Sequence, residues 1–397
     1  MQIRSLTAFE VPIRLKKPVR HASHVRIGNE TLIVRCELAD GSVGWGEGLP
    51  RTYVTGESMS SVWRHLTATD FTPLADAVMA DVPAAVRVLD GFRLAEVPAD
   101  QGVPPRECFG NSVRCALELS LLDAVCCGVG QALGDLVFQL PEVAAVAERL
   151  DHVHYSGVVT SVSPAKQWLS AFRMKIFGFR QVKVKVGTDG IDDAACLSRL
   201  RARLAPDVDL RLDANEAWHL DSLVDHVRPL LPFGLSSLEQ PVPHAEVSGL
   251  ADVRKELGVP LMLDESLCCL EDAQRAIEQQ TCDLFNLRLS KCGGFVSCLR
   301  LAAMAEQHGI GCQLGCQVGE TGILSAAGRH FACNVGGIRY LEGSYDRFLV
   351  RDRLTKQDLT IRYGGFGPRL SGPGLGVTVD EGRVRAMAVR NETIFCR

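Results

Sequence analysis

QVKVKVG, residues 181–187, sets Lys183 and Lys185 two positions apart among Val182, Val184 and Val186. Successive side chains of a strand point to opposite faces, so the lysines share one face and the valines the other. If the strand belongs to a barrel, its outer face packs on helices and takes the valines. Both ammonium groups then point inward, where buried charge requires carboxylate partners. Similar β-branched runs recur from about residue 155: SGVVTSV (156–162), VDLRLDAN (208–215), LSSLEQPV (235–242), PLMLDES (260–266), DLFNLRLS (283–290), IGCQLGCQ (310–317) and GIRYLEG (337–343). Segments between them, such as DDAACLSRLRARL and EDAQRAIEQQ, carry helical spacing, and Gly or Pro marks many of the joints. Strand and helix alternating in this way predict an α/β fold, a TIM-type (βα)7β barrel over residues 150–350. An open doubly wound sheet is the competing architecture, but no Gly-rich turn opens any of these helices.

The flanking regions follow a different pattern. Residues 1–140 combine alternating strands (IRSLTAFEVPI, ETLIVRCELADG, VGWGEG) with helical stretches, which predicts an α+β capping domain. Residues 355–397 return to short strands and turns and are expected to pack back on that domain. GGFGPRLSGPGLG (364–376) is Gly-rich but neither follows a βα strand nor opens a helix, so it is read as a turn.

The next strands supply the carboxylates. Asp213 (RLDAN), Glu239 (SLEQP) and Asp264 (MLDES) each follow an apolar run and precede loop residues, at intervals of 26 and 25 that match the βα period. This puts them at the C-terminal mouth of neighbouring strands, where barrel active sites lie. Arg288, in NLRLS, follows 24 residues after Asp264. Three converging carboxylates repel one another unless a cation neutralises them, and an all-oxygen set with vacant positions suits Mg²⁺, with Mn²⁺ as a substitute. Taken singly, each acid could instead cap a helix or pair with a lysine. A substrate carboxylate on such a metal has a more acidic α-hydrogen, and the resulting enediolate is stabilised more than the ground state. Of the paired lysines one would act as base, its pKa lowered by the other. A Schiff-base lysine is the rival chemistry, but it leaves three acids without a task.

Composition excludes other classes. The chain has 397 residues, 46% hydrophobic and 23% charged, with a net charge of −4 and no basic run longer than Lys16-Lys17. Neither a nucleic-acid surface nor a membrane span is expected, and the N-terminus lacks the features of a signal peptide, so the expected location is cytoplasmic. The fifteen cysteines include no Cys-x-x-Cys and are expected to be reduced thiols.

VKVKVG, LDAN, LEQP, LDES and SKCGG (290–294), with ELADGSVGWGEG and PGLGVTVD at the two ends, together resemble the enolase superfamily, in its muconate cycloisomerase subgroup. The resemblance covers essentially the whole chain. It implies Asp213, Glu239 and Asp264 as Mg²⁺ ligands, Lys185 as catalytic base and Lys183 as its partner. Asn215 and Glu265 would hydrogen-bond the ligands or lysines, and Glu320 would contact substrate or cap a helix. Capping loops near 21–27 and 49–57 would choose a small carboxylate substrate, and the protein would form a homo-oligomer, a dimer or octamer. The mandelate racemase-like subgroup carries histidine after strand seven; this chain has none there, and His308 is expected at a helix end.

Two departures bear on the reaction. Subgroup members usually carry lysine where Arg288 stands, and epimerisation needs a proton carrier on each face. Arginine stays protonated, and Lys291 is not expected to substitute. A one-base reaction is therefore expected, either cycloisomerisation or a syn dehydration of the o-succinylbenzoate synthase type. The Asp-x-Asp of dipeptide epimerases is also replaced, by YLEGSYD with Glu342. Epimerisation or racemisation of an N-acyl amino acid or dipeptide is the alternative, as is a metal-binding paralogue whose activity has lapsed.

Overall fold

The computed structural model describes all residues except 21–24, 103–105 and 161–162. Fourteen strands occur among the described residues: β1 (Ile3–Arg20), β2 (Val25–Leu38), β3 (Val43–Gly48), β4 (His152–His154), β5 (Gly157–Val159), β6 (Gln181–Lys185), β7 (Asp209–Asp213), β8 (Leu235–Glu239), β9 (Leu261–Leu263), β10 (Leu284–Leu287), β11 (Gly311–Leu314), β12 (Ile338–Leu341), β13 (Phe366–Pro368) and β14 (Arg390–Cys396). β5 to β12 form one parallel sheet in sequence order. Helices stand between consecutive strands, giving the (βα)7β pattern. The sheet curls so that its edges meet: the Ser156 N–H donates to the Leu341 carbonyl at 2.8 Å.

The alternation in QVKVK sorts as expected. Val182 and Val184 are buried at 0% and 1% exposure, while Lys183 faces the interior at 3%. Below it lies Arg211, fully buried, its guanidinium 4.6 Å from the Tyr340 ring centroid and bonded to Glu342 at 2.6 Å.

The capping layer is a four-stranded antiparallel sheet ordered β14-β1-β2-β3, so the C-terminal tail does return to the N-terminal sheet. VGWGEG explains how the layer closes. Gly46 sits so near helix Asn111–Val129 that a Cβ there would lie 1.9 Å from the Ala116 carbonyl oxygen. Only a bare backbone permits that approach. Glu47 points the other way, accepting from the Thr321 N–H at 2.8 Å, the Thr321 hydroxyl at 2.7 Å and the Leu324 N–H at 3.0 Å, and so caps helix Gly322–Asn334 of the barrel. Asp123 and Glu118 likewise accept backbone N–H groups, from Trp45 and Leu375 and from Phe295 and Val296 respectively. Burial pushes each of these three carboxyls up to about 7.

Within GGFGPRLSGPGLG the structure differs from the expected turn at one point. Phe366–Pro368 forms β13, paired antiparallel with β4, because this segment runs beside the chain entering the barrel. The cysteines are free thiols, most of them buried, with Cys396 exposed. Among the described residues no helix is long and apolar enough to cross a membrane.

Candidate active site

Parallel pairing brings the strand ends into register. Lys185 pairs with Asp213 and Asp213 with Glu239, so base, acid and acid lie side by side at the C-terminal ends of β6, β7 and β8. Asp264 and Arg288 continue the row just beyond β9 and β10. In the order of eight strands, β6 and β10 are four apart, which sets Arg288 across the barrel from the two lysines.

The electrostatics are dense. Lys183 Nζ lies 3.1 Å from Asp213 Oδ2, 3.2 Å from Glu239 Oε2 and 2.9 Å from Glu342 Oε2. Burial works against its charge, but these three carboxylates hold its pKa well above the ordinary lysine range. Lys185 Nζ is 3.2 Å from Asp213 Oδ2 and also donates to Asn215 Oδ1. Burial opposes ionisation of Asp213, yet the two lysines hold its pKa well below normal. Glu239 behaves otherwise. Burial and the neighbouring Asp213 push it up to about 7 although Lys183 opposes them, and Asn286 Nδ2 donates to it at 2.8 Å. Asp264 is held between Arg288, which donates to Oδ2, and Lys291, 2.9 Å from Oδ1. Lys291 is fully buried and also donates to the carbonyls of Asp264 and Asn286 at 2.6 and 2.8 Å. It supports the site from beneath and does not line the cavity.

A cavity of about 230 Å³ opens over these groups, lined by Lys183, Lys185, Asp213, Asn215, Glu265 and Arg288 from the barrel and by Arg51, Tyr53 and Val54 from the capping loop. That loop lies within 49–57, as expected; residues 21–24 of the other expected loop lie outside the described residues. Arg51 secures the cover, donating to Asn29 Oδ1 at 3.0 Å and to the Val318 carbonyl at 2.9 Å. A larger cleft of about 390 Å³ between helices Val82–Gly91, Asn111–Val129 and Phe295–Gln307 carries none of the strand-end acids.

Asn215 has φ +45, a left-handed conformation that asparagine tolerates and that turns its amide back to the strands. There its Oδ1 meets Lys185 and its Nδ2 donates to Glu265 Oε1 at 3.1 Å. Glu265 is buried, with Oε2 unpartnered, and burial pushes it up to about 8. Glu320 does not line the cavity. Its carboxylate accepts the Gln317 N–H at 2.6 Å and fixes the turn after β11. His308 stands at the C-terminal end of helix Phe295–Gln307. Sequence reasoning missed Gln240, whose Oε1 accepts the N–H groups of Asp264 and Ser266 and so joins two strand ends; the left-handed φ of +36 that aims it there has no sequence signature.

The donor chemistry fits a hard divalent cation. Asp213, Glu239 and Asp264 offer oxygens alone, the donor set that such a cation takes. Among the described residues no three Asp, Glu, His or Cys side chains are grouped as ligands of one ion; the protein's own cations stand between the acids instead.

Comparison with known proteins gives the family and the fold. Residues 168–383 match the family model described as enolase C-terminal domain-like. The L-Lys-D/L-Arg epimerase of Methylococcus capsulatus is 32% identical over 370 residues, covering 92% of this chain and 94% of that protein. The N-succinyl-L-Arg/Lys racemase of Bacillus cereus is 26% identical over 398 residues, covering 99% of this chain and 100% of the relative, and its crystal structure superposes with a TM-score of 0.85. A dipeptide epimerase from Cytophaga hutchinsonii, crystallised with Mg and D-Ala-L-Val, superposes with a TM-score of 0.83 at 24% identity, each chain covered in full.

Proposed function

The chain belongs to the enolase superfamily, and from that membership we propose that it removes and returns the α-proton of a small carboxylate, an N-acyl amino acid or a dipeptide, with Lys185 as the base. One observation carries the reading: Lys185 stands in register with Asp213 and Glu239 at the strand ends beneath the cavity covered by the capping loop. Asp213, Glu239 and Asp264 would hold Mg²⁺, which when bound supplies the positive charge that acidifies a C–H beside a carboxylate. Lys185 takes the proton, and Asn215 orients its ammonium toward the cavity. Lys183 gives its charge to three carboxylates and keeps that cluster compact. Arg288 offers a fixed cation to substrate oxygen from the far wall. The relatives named above are racemases and epimerases, which favours reversible proton transfer on an amino-acid derivative over the cycloisomerase or dehydratase outcome.

Arg288 supports a second reading. A guanidinium held between Asp264 and Glu239 keeps its proton, so a reaction confined to the Lys185 face fits this wall better than inversion by two bases. Incubation of N-acyl amino acids and dipeptides in D₂O with Mg²⁺, followed by NMR and chiral chromatography, separates the two. Exchange with inversion supports the racemase reading; exchange with retention, or loss of a β-substituent, supports the one-face reading. Absence of exchange with any such acid overturns both and leaves a paralogue without activity. Lys185→Ala is expected to lower exchange by about 10²- to 10⁴-fold.

A further inference from the structure

Gln317, just beyond β11, lines the cavity at 3% exposure, and neither its Oε1 nor its Nε2 has a hydrogen-bond partner. A buried side-chain amide without partners is costly unless something arrives to bond it. The surrounding chain holds it in place. The Glu320 carboxylate accepts the Gln317 N–H at 2.6 Å, and the Glu320 N–H donates back to the Gln317 carbonyl at 3.2 Å. Asn215, the other side-chain amide in the wall, is already bonded to Lys185 and Glu265. The charged groups of the wall that carry N–H donors include Lys185 and Arg288. Neutral acceptors for a ligand N–H are scarce, and Gln317 Oε1 is an unused one.

We propose that Gln317 recognises the substrate's amide linkage: Oε1 accepts the linkage N–H, and Nε2 donates to a neighbouring oxygen of the same ligand. A trans amide carries its N–H and carbonyl on opposite edges, so the two glutamine atoms serve different ligand groups. Gln317 is thus the specificity-determining residue for N-acylated or peptidic acids over esters and simple acids, and Glu320 is its positioning residue. The assignment rests on the proposed α-proton chemistry only in seating the ligand's carboxylate at the strand ends.

The test is calorimetric binding, in Mg²⁺, of N-acetyl-L-alanine and of O-acetyl-L-lactate, in which an ester oxygen replaces the amide N–H. Wild type is expected to prefer the amide by about tenfold or more, the cost of one unmade hydrogen bond. Gln317→Leu, which removes both amide atoms, is expected to reduce that preference to within about twofold, and in the exchange assay to raise KM more than it lowers kcat. Equal wild-type affinities, binding of neither compound, or a preference that persists in Gln317→Leu overturns the assignment. If Gln317→Leu does not fold, Gln317→Met replaces it, and the wild-type ratio needs no variant. An amide preference that Gln317→Leu abolishes, without α-exchange, upholds Gln317 and overturns the proposed chemistry; exchange without amide preference does the reverse.

Discussion

At the scale of the residue, the difference between arginine and lysine at position 288 separates the two proposed readings. Both carry charge to the far wall, but only lysine gives up a proton within reach of neutral pH. Arg288→Lys is therefore expected to introduce or increase inversion at the α-carbon, measured as the D/L ratio after exchange in D₂O. An unchanged ratio would show that the far wall takes no part in proton transfer. A second residue works through stability. His330 is 2% exposed in helix Gly322–Asn334, and burial pushes its pKa down to about 4. Its surroundings include Arg369, Arg329 and Asp135. The unfolded chain binds this proton near pH 6.5 while the folded one refuses it until about 4, so the neutral ring's stability is complete above pH 6.5 and is lost as pH falls. Relative to His330→Gln, wild type is expected to lose on the order of 3 kcal/mol between those values, read from urea midpoints.

At the scale of the element, β3 carries the contact between the two layers. Its glycines bring the sheet directly against helix Asn111–Val129, and the intervening Glu47 reaches into the barrel. Gly46→Ala would force a methyl group into the Ala116 carbonyl, so the helix must move away or the strand must bend. A loss of about 3 kcal/mol or more is expected, well above that of an ordinary surface change. Glu47→Ala leaves the start of helix Gly322–Asn334 without its acceptor and is expected to cost about 1–3 kcal/mol. The same helix follows the turn that holds Gln317, so differential scanning calorimetry should be paired with the amide-to-ester ratio. VGWGEG was legible in the sequence as alternating strand and as part of a family resemblance. Why it needs glycine at every second position was not, because the helix that demands it lies more than sixty residues further along the chain.

At the scale of the whole molecule, the site is assembled from the ends of several barrel strands and a capping loop, and its acids are balanced by cations from neighbouring strands. Mg²⁺ should bind the folded protein alone and raise its Tm, by about 2.7 kcal/mol of stabilisation at a hundredfold excess over Kd. Asp264→Asn is expected to lose most of that response, which a thermal melt with and without Mg²⁺ would show; an undiminished shift would argue against Asp264 as a ligand. Much of this was determined by the sequence itself. The period of the β-branched runs specifies eight strands, and the alternation in QVKVK turns both lysines inward, because periodicity is a local property that the backbone must obey. Spacing alone also placed Asp213, Glu239, Asp264 and Arg288 at successive strand ends. Only the tertiary structure decided how those charges are shared: Lys183 among three carboxylates, Lys291 beneath Asp264, Arg211 with Glu342, and Gln317 left with nothing to bond. Those pairings depend on which side chains meet after the barrel closes, and no local pattern in the chain encodes a meeting between residues 27 to more than a hundred positions apart.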